Sequence, residues 1–392
     1  MLSRKEDAIS FFGIILTSLV TALHLYVFAR LASLPQLRRG NGLKVLAITG
    51  GALWVFFFLG RIFHNQESGM FLELLELLGM QWMGILFLLA VPLLGSELIT
   101  GFGFLLSQKI TLHIRTAALG LGALLVLIAH IQGLRSPAVE QYQIPVHHLP
   151  AQADGTTVAV LSDLHIGEML LDASWLHDRV QQVQALKPDC IVLVGDLFSR
   201  SGYPVLLSQA LRQLSAPLGV FAVRGNHDAL RPDRPDTTGE ILADSGIRLL
   251  NNKWVKINEG LILAGINDLT TARRRGEDGQ KNLNSALANR PAGATILLSH
   301  TPWLVEQAAT AGVDLMLSGH THNGQIWPFN YLTRTRYPFL DGQYLVKGMQ
   351  LFVSRGTGTW GPRMRLWQRG EIALITLRSP SQQSSKETNA LL

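Results

Sequence analysis

Cysteine and charge are both scarce in this chain. A single cysteine, Cys190, stands among 392 residues, which excludes a disulfide framework and any zinc site built on thiolates. Charged residues make up 16% of the sequence, where an ordinary soluble protein carries about a quarter. The 34 Lys and Arg against 28 Asp and Glu leave a net charge of +6, too small an excess for a surface that wraps nucleic acid.

The missing charge is concentrated at one end. Residues 1–135 hold ten of the basic and six of the acidic side chains, and four windows there contain none: 8–29, 45–60, 77–96 and 116–134. Each approaches the ~20 apolar residues that cross a bilayer core as helix. Soluble cores rarely give four such windows in succession. The pattern predicts an all-α transmembrane domain of about four helices over 1–135, with spans near 8–29, 43–61, 77–97 and 116–134. In the fourth span Ala118, Gly120 and Gly122 are spaced for close helix contact. His24 and His130 fall inside spans one and four, and we read them as neutral rings bonded to neighbours.

Basic residues set the orientation. Six of them (Arg30, Arg38, Arg39, Lys44, Lys109, Arg115) flank the loops after spans one and three, against four (Arg4, Lys5, Arg61, Arg135) at the other ends. The positive-inside rule then predicts a multi-pass protein of the cell (inner) membrane with its carboxy-terminal domain on the extracytoplasmic side.

Beyond a linker and first strand at 136–156, the long apolar windows give way to short ones of strand length. They run at 157–161, 190–194, 219–223, 261–264, 295–298, 314–317, 351–353 and 372–377, and read as buried strands. Asp172 caps a helix that continues to Lys187 and is stopped by Pro188, and a second helix is expected over 302–311. Strands alternating with helices predict an α/β domain over 157–378, followed by a disordered polar tail at 379–392.

Five strand ends carry the chemistry. They deliver Asp163 and His165; Asp196; Asn226, His227 and Asp228; His300; and His320 and His322. Ligand sites in layered α/β folds lie beyond the carboxyl ends of strands, and five of the twelve histidines sit there. Gly195, Gly225 and Gly319 precede these residues and relieve steric limits on sharp turns. Carboxylates with many imidazoles and no thiolate suit manganese, iron or zinc better than magnesium or calcium. The set is too large for one ion and fits two divalent or trivalent ions about 3.5–4 Å apart.

The series Asp163-x-His165, Gly195-Asp196, Gly225-Asn226-His227-Asp228, His300 and Gly319-His320-Thr321-His322 resembles the calcineurin-like metallophosphoesterase superfamily. The ending Asn323-Gly324-Gln325 is similar to its bacterial membrane-associated branch, as is Ser354-Arg355-Gly356-Thr357-Gly358 followed by Arg365 and Glu371. The resemblance covers residues 140–378. It implies a four-layer fold of mixed β-sheets flanked by helices. It further implies that Asp163, His165 and His322 hold one metal, that Asn226, His300 and His320 hold the other, and that Asp196 bridges them. His227 would act beside the metals as catalytic acid, with Asp228 orienting it. Two departures stand out: Asn323, where relatives often have Gly, and Phe198-Ser199-Arg200, where many carry an acidic residue. Arg224 and Arg355 are candidates for gripping phosphate or the rest of the substrate, a surface salt-bridge role being the alternative.

These readings converge on a membrane-anchored phosphodiesterase or pyrophosphatase whose partners are the lipid bilayer and a lipid-linked or nucleotide-linked phosphate ester. The alternatives are a phosphomonoesterase and a scaffold on the same fold. No nucleic-acid partner is expected, because residues 136–392 carry 24 basic against 22 acidic side chains, far from the basic face that a nuclease needs.

Overall fold

The computed structural model describes residues 11–63, 70–167, 171–199, 204–229 and 235–380. The start of the first expected span, Arg200, and nearly all of the expected polar tail lie outside these. The chain divides into two compact units, one made of residues 1–134 with 361–366, the other of 135–360 with 367–392.

The first unit contains α1 (Phe11–Ala32), α2 (Gly42–Phe63), α3 (Met70–Thr100) and α4 (Gln108–Leu134). All four are long and apolar enough to cross a membrane. Helices α3 and α4 begin seven and eight residues before the expected spans at 77 and 116, because an uncharged window marks the bilayer core and not the helix ends. The added turns carry Glu73, Glu76, Lys109 and Arg115. Large apolar side chains such as Ile48, Leu98 and Leu127 point outward, the inverse of a soluble helix bundle.

Of the expected small-residue stripe, Ala118 is buried. A Cβ on Gly122 would lie 3.0 Å from the Leu88 carbonyl oxygen, so α4 approaches α3 at backbone distance there, whereas Gly120 faces open space. His24 Nδ1 accepts the Trp82 indole N–H at 3.1 Å, and His130 Nδ1 lies 2.9 Å from the Val126 carbonyl.

One short segment departs from the sequence reading. Residues 361–366, expected within the catalytic domain, belong to the helical unit. The Arg365 amide donates to the Ala129 carbonyl at 2.9 Å and the Arg363 amide to Gln81 Oε1 at 2.5 Å. Gly133 leaves room for this backbone, since a Cβ there would meet Arg363 and Met364.

The second unit runs β1 (Ala138–Pro145), β2 (Thr157–Leu161), α5 (Ala173–Ala185), β3 (Cys190–Val194), α6 (Pro204–Leu211), β4 (Val220–Val223), α7 (Thr237–Asp244), β5 (Arg248–Leu249), β6 (Lys253–Asn258), β7 (Leu261–Gly265), α8 (Leu269–Arg274), α9 (Gly279–Leu287), β8 (Ala294–Leu298), α10 (Val305–Thr310), β9 (Leu315–Ser318), α11 (Phe329–Arg336), β10 (Gly342–Val346), β11 (Met349–Val353) and β12 (Glu371–Arg378). The Asp172 carboxylate caps α5 through the Trp175 amide at 2.9 Å. Strands β5, β6 and β10 were not expected; their side chains are half-buried or exposed, so they lack the apolar run that marks the buried strands.

Two six-stranded mixed sheets result, in the orders β1-β12-β2-β3-β4-β5 and β10-β11-β9-β8-β7-β6. Val158, Val160, Val192 and Val194 of the first sheet pack with Leu263, Ile296, Leu298 and Leu317 of the second in one core. The alternate residues Ala159, Leu161, Ile191 and Leu193 pack outward on α5 and α6, and Leu297 and Met316 on α9 and α10. Period-two alternation with both faces buried gives four layers, helix, sheet, sheet, helix.

Candidate metal centre

The strand ends converge at one edge of the sandwich. Parallel pairing of β2, β3 and β4 and of β7, β8 and β9 sends their carboxyl ends in common directions, and the turns beyond them meet. Asp163, His165 and His322 form one cluster and Asp196, His300 and His320 another, each with ligand atoms within 4.8 Å of one another; His165, Asp196 and His227 form a third overlapping group. Asp196 Oδ2 lies 3.2 Å from His300 Nε2 and 3.8 Å from His165 Nε2. His322 Nε2 lies 3.3 Å from Asp163 Oδ1 and 3.2 Å from His165 Nε2, and His320 Nδ1 is 3.2 Å from His300 Nε2.

Backbone geometry makes this crowding possible. Asp163, His165, Asp196, His320 and His322 all adopt positive φ, a region that costs a non-glycine residue of order 1 kcal/mol or more and concentrates at functional sites. Of the three expected turn glycines, Gly195 has φ +79°, as a sharp turn requires. Gly225 and Gly319 do not. They are bare because a Cβ would collide with the Asp196 carboxylate and with the Ser162 and Asp163 side chains respectively.

A second ring of contacts fixes each imidazole. His300 Nδ1 is 2.8 Å from the Val194 carbonyl, so Nδ1 carries the proton and Nε2 presents its lone pair to the cluster. His165 Nδ1 pairs with Ser199 Oγ at 2.9 Å. His320 is turned the other way, with Nε2 2.8 Å from the Tyr337 hydroxyl and Nδ1 inward. Asp163 accepts from Ser162 Oγ at 2.5 Å and from the His320 amide at 3.0 Å. Ser162 and Ser199 stand beside the motif residues in sequence; Tyr337 has no motif that would have singled it out.

The donor set fits a pair of cations. Asn226 Oδ1 is shielded from solvent and meets no donor among the described residues, an expensive state for a buried carbonyl unless a cation faces it. Burial pushes Asp196 up, but His300 and His227 outweigh it and hold the carboxyl well below its usual range. Burial lowers His300, yet the Asp196 and Asp163 carboxylates raise it well above. Burial and neighbouring His227 hold His165 far down. A proton and a metal ion compete for the same lone pairs here, so metal binding would release protons.

His227 donates its amide to Asp196 Oδ1 at 2.8 Å, and its ring stands edge-on to His165 at 4.9 Å and to Trp360 at 6.2 Å between centroids. Asp228 does not orient that ring. Its carboxylate accepts the amides of Leu197, Phe198 and Gly225 at 2.9–3.0 Å, which uses up its capacity in holding the Asp196 loop. Burial and Asp196 push it up to about 6.

The two arginines read as phosphate grips are engaged elsewhere. Arg224 is buried, donating to both Asp236 oxygens at 2.6–2.7 Å and to the Asp228 carbonyl at 3.0 Å. Arg355 pairs with Glu140 at 2.9 Å and lies 3.4 Å from Glu371. Both form salt bridges, Arg355 while part-exposed, but Arg224 is buried and not at the surface, and a buried guanidinium requires such partners. Asn323 adopts φ +51°, which Asn tolerates, and its amide donates to Asp341 and Gln368.

Residues 156–324 match the calcineurin-like phosphoesterase family. A transmembrane protein with a metallophosphoesterase domain from Danio rerio is 36% identical over 276 residues, covering 67% of this chain and 62% of that one. Its counterpart from Bos taurus is 32% identical, with 65% and 60% covered. The chain thus spans about three fifths of the length of these vertebrate relatives. A metallophosphoesterase of Aquifex aeolicus (strain VF5) is 33% identical over 250 residues, and 91% of its length is covered. With its histidine-carboxylate cluster inside the matched residues and a 33% identical relative of whose length it covers 91%, the chain belongs to the calcineurin-like metallophosphoesterases.

Proposed function

We propose that the protein is a membrane-anchored phosphoesterase with two metal ions that hydrolyses phosphodiester or pyrophosphate bonds. The observation that carries this reading is the pair of three-ligand clusters, Asp163, His165, His322 and Asp196, His300, His320, with Asn226 Oδ1 unpaired among the described residues. The reading of Asp196 as the bridging carboxylate is supported by its Oδ2 lying 3.2 Å from His300 Nε2 and 3.8 Å from His165 Nε2. Two ions of manganese, iron or zinc, when bound, supply positive charge against the phosphoryl oxygens and make a water nucleophile available near neutral pH. The chain's own residues do the rest. Val194, Ser199 and Tyr337 fix the ring orientations of His300, His165 and His320. His227, half-exposed and with its backbone tied to Asp196, donates a proton to the departing oxygen.

A lipid-linked substrate is supported by the rim of this unit. Helix α11 follows the Gly-His-Thr-His motif and exposes Phe329, Tyr331 and Leu332 by 44–62%, while Trp360, packed on His227, and Trp367 are 41% and 55% exposed. Such an aromatic and aliphatic rim suits an apolar leaving group better than a hydrophilic ester.

The test is hydrolysis by the manganese-loaded full chain of bis(p-nitrophenyl) phosphate beside p-nitrophenyl phosphate, followed by lipid diphosphates and phosphodiesters. Diester turnover that vanishes in Asp196→Ala and His227→Ala supports the reading. Preference for the monoester moves it to a phosphomonoesterase. No hydrolysis of either, with fewer than one metal per chain, leaves the scaffold. An extracytoplasmic placement of the catalytic unit is checked with a reporter after Leu392, and reporter activity confined to the cytoplasm overturns it.

A further inference from the structure

Three charged side chains from three helices meet at one end of the helical unit. Glu97 of α3 is 1% exposed. Arg115 of α4 grips it with Nε on Oε1 at 2.8 Å and Nη2 on Oε2 at 2.7 Å. Arg30, in the last turn of α1, brings Nε to 3.0 Å from Oε1 and lays its guanidinium over the Tyr26 ring at 5.4 Å. Fork against fork, Arg115 and Glu97 neutralise one another. Arg30 then adds one positive charge beyond what Glu97 balances, and among the described residues no other carboxylate pairs with either guanidinium. The Arg30 side chain is 27% exposed and that of Arg115 14%, so the surplus charge lies at the end of the bundle, where an anion can reach it, and ionisable groups among apolar helices mark binding sites by default.

A second feature points to a ligand. Thr111 lies one turn before Arg115 on α4 and is 4% exposed, yet its Oγ1 has no partner among the described residues. Gly103, in the turn between α3 and α4, has φ +90°, and a Cβ there would stand 3.4 Å from Arg115 Nη2 and 3.6 Å from Thr111. The Gly103 backbone thus runs close beside the Arg115 guanidinium and the Thr111 methyl Cγ2 with no side chain between them. Two guanidinium groups and a buried hydroxyl are the recognition set of a phosphate-class oxyanion.

We propose that Arg30, Arg115 and Thr111 form a binding site for a phosphate-class oxyanion, carried by a lipid headgroup or free in solution, that balances the surplus charge. The site belongs to the helices alone and does not depend on the phosphoesterase activity. The full chain is purified in neutral detergent with chelator present, so that hydrolysis plays no part. Thermal unfolding and native mass spectrometry then follow the addition of phosphatidylglycerol, of diacylglycerol, which lacks the phosphate, and of inorganic phosphate.

Phosphatidylglycerol is expected to be retained and to raise the melting temperature by several degrees, with diacylglycerol inert. If inorganic phosphate stabilises equally, the oxyanion is a soluble one; if it is inert, the ligand is the headgroup. Arg30→Gln and Thr111→Val are expected to weaken retention about tenfold or more, the loss of one hydrogen bond to a charged group. Arg39→Gln, an exposed base in the segment after α1, leaves retention unchanged. Thr111→Val keeps every charge in place and carries the test if Arg30→Gln does not fold. Equal effects of phosphatidylglycerol and diacylglycerol with phosphate inert, or retention unaltered in the folded variants, would overturn the proposal.

Discussion

Tyr337 shows how much of a metal site is decided by single atoms outside the motifs. Its hydroxyl takes the outer nitrogen of His320, and its own ring is held by stacking on Trp303 at 5.9 Å and by the Arg336 guanidinium. Tyr337→Phe keeps the ring and removes the tether, so affinity for the second metal is expected to fall about 10–100-fold. Titration of the metal-free protein with manganese checks this, the first equivalent binding as in the parent. Cys190 is a contrasting residue. It sits in the middle layer of the core, and burial with Asp189 nearby pushes its thiol up to about 12. At pH 7–8 it is therefore a protonated, inert thiol, and thiol reagents are expected to modify it only after unfolding. Reaction of the native protein at the rate of free cysteine would contradict its burial.

At the scale of elements, helix packing turns on which glycine faces a neighbour. Gly122 lies against the Leu88 and Leu89 backbone, and Gly120, two residues away, lies in the open. Gly122→Val is expected to lower the melting temperature of the detergent-solubilised protein by several degrees, since overpacking a tight contact costs about 1–3 kcal/mol. Gly120→Val should leave it nearly unchanged. The expected stripe grouped all three small residues, although at 3.6 residues per turn Ala118 and Gly122 share a face that Gly120 does not, and composition does not say which flank meets the next helix. The same limit explains β6 and β10: edge strands with half-exposed side chains need pairing partners, here β7 and β11, that no local run of residues reveals.

For the whole molecule, the metal pair should be a structural as well as a chemical element. Five side chains in left-handed backbone conformations and several mutually facing imidazoles are held in one cluster, and cations that bind only the folded chain stabilise it by mass action. Removing metal with a chelator is expected to lower the melting temperature by several degrees and to abolish hydrolysis, both restored by manganese. An unchanged melting temperature after verified metal removal would show that the cluster stands without cations.

The sequence by itself determined the four apolar helices, the order of the buried strands and the identity of the clustered histidines and carboxylates. Each follows from local pattern: long uncharged windows, short apolar runs, and polar residues at run ends. Only the tertiary structure decided what depends on approach between distant segments. It tied Arg224 and Arg355 to carboxylates, gave Asp228 to three backbone amides, and set residues 361–366 in the helical unit. It also brought Tyr337 and Ser199 onto ligand imidazoles. A polar side chain takes whichever partner the fold brings within hydrogen-bond reach, and reach across the chain is not written in the order of its residues.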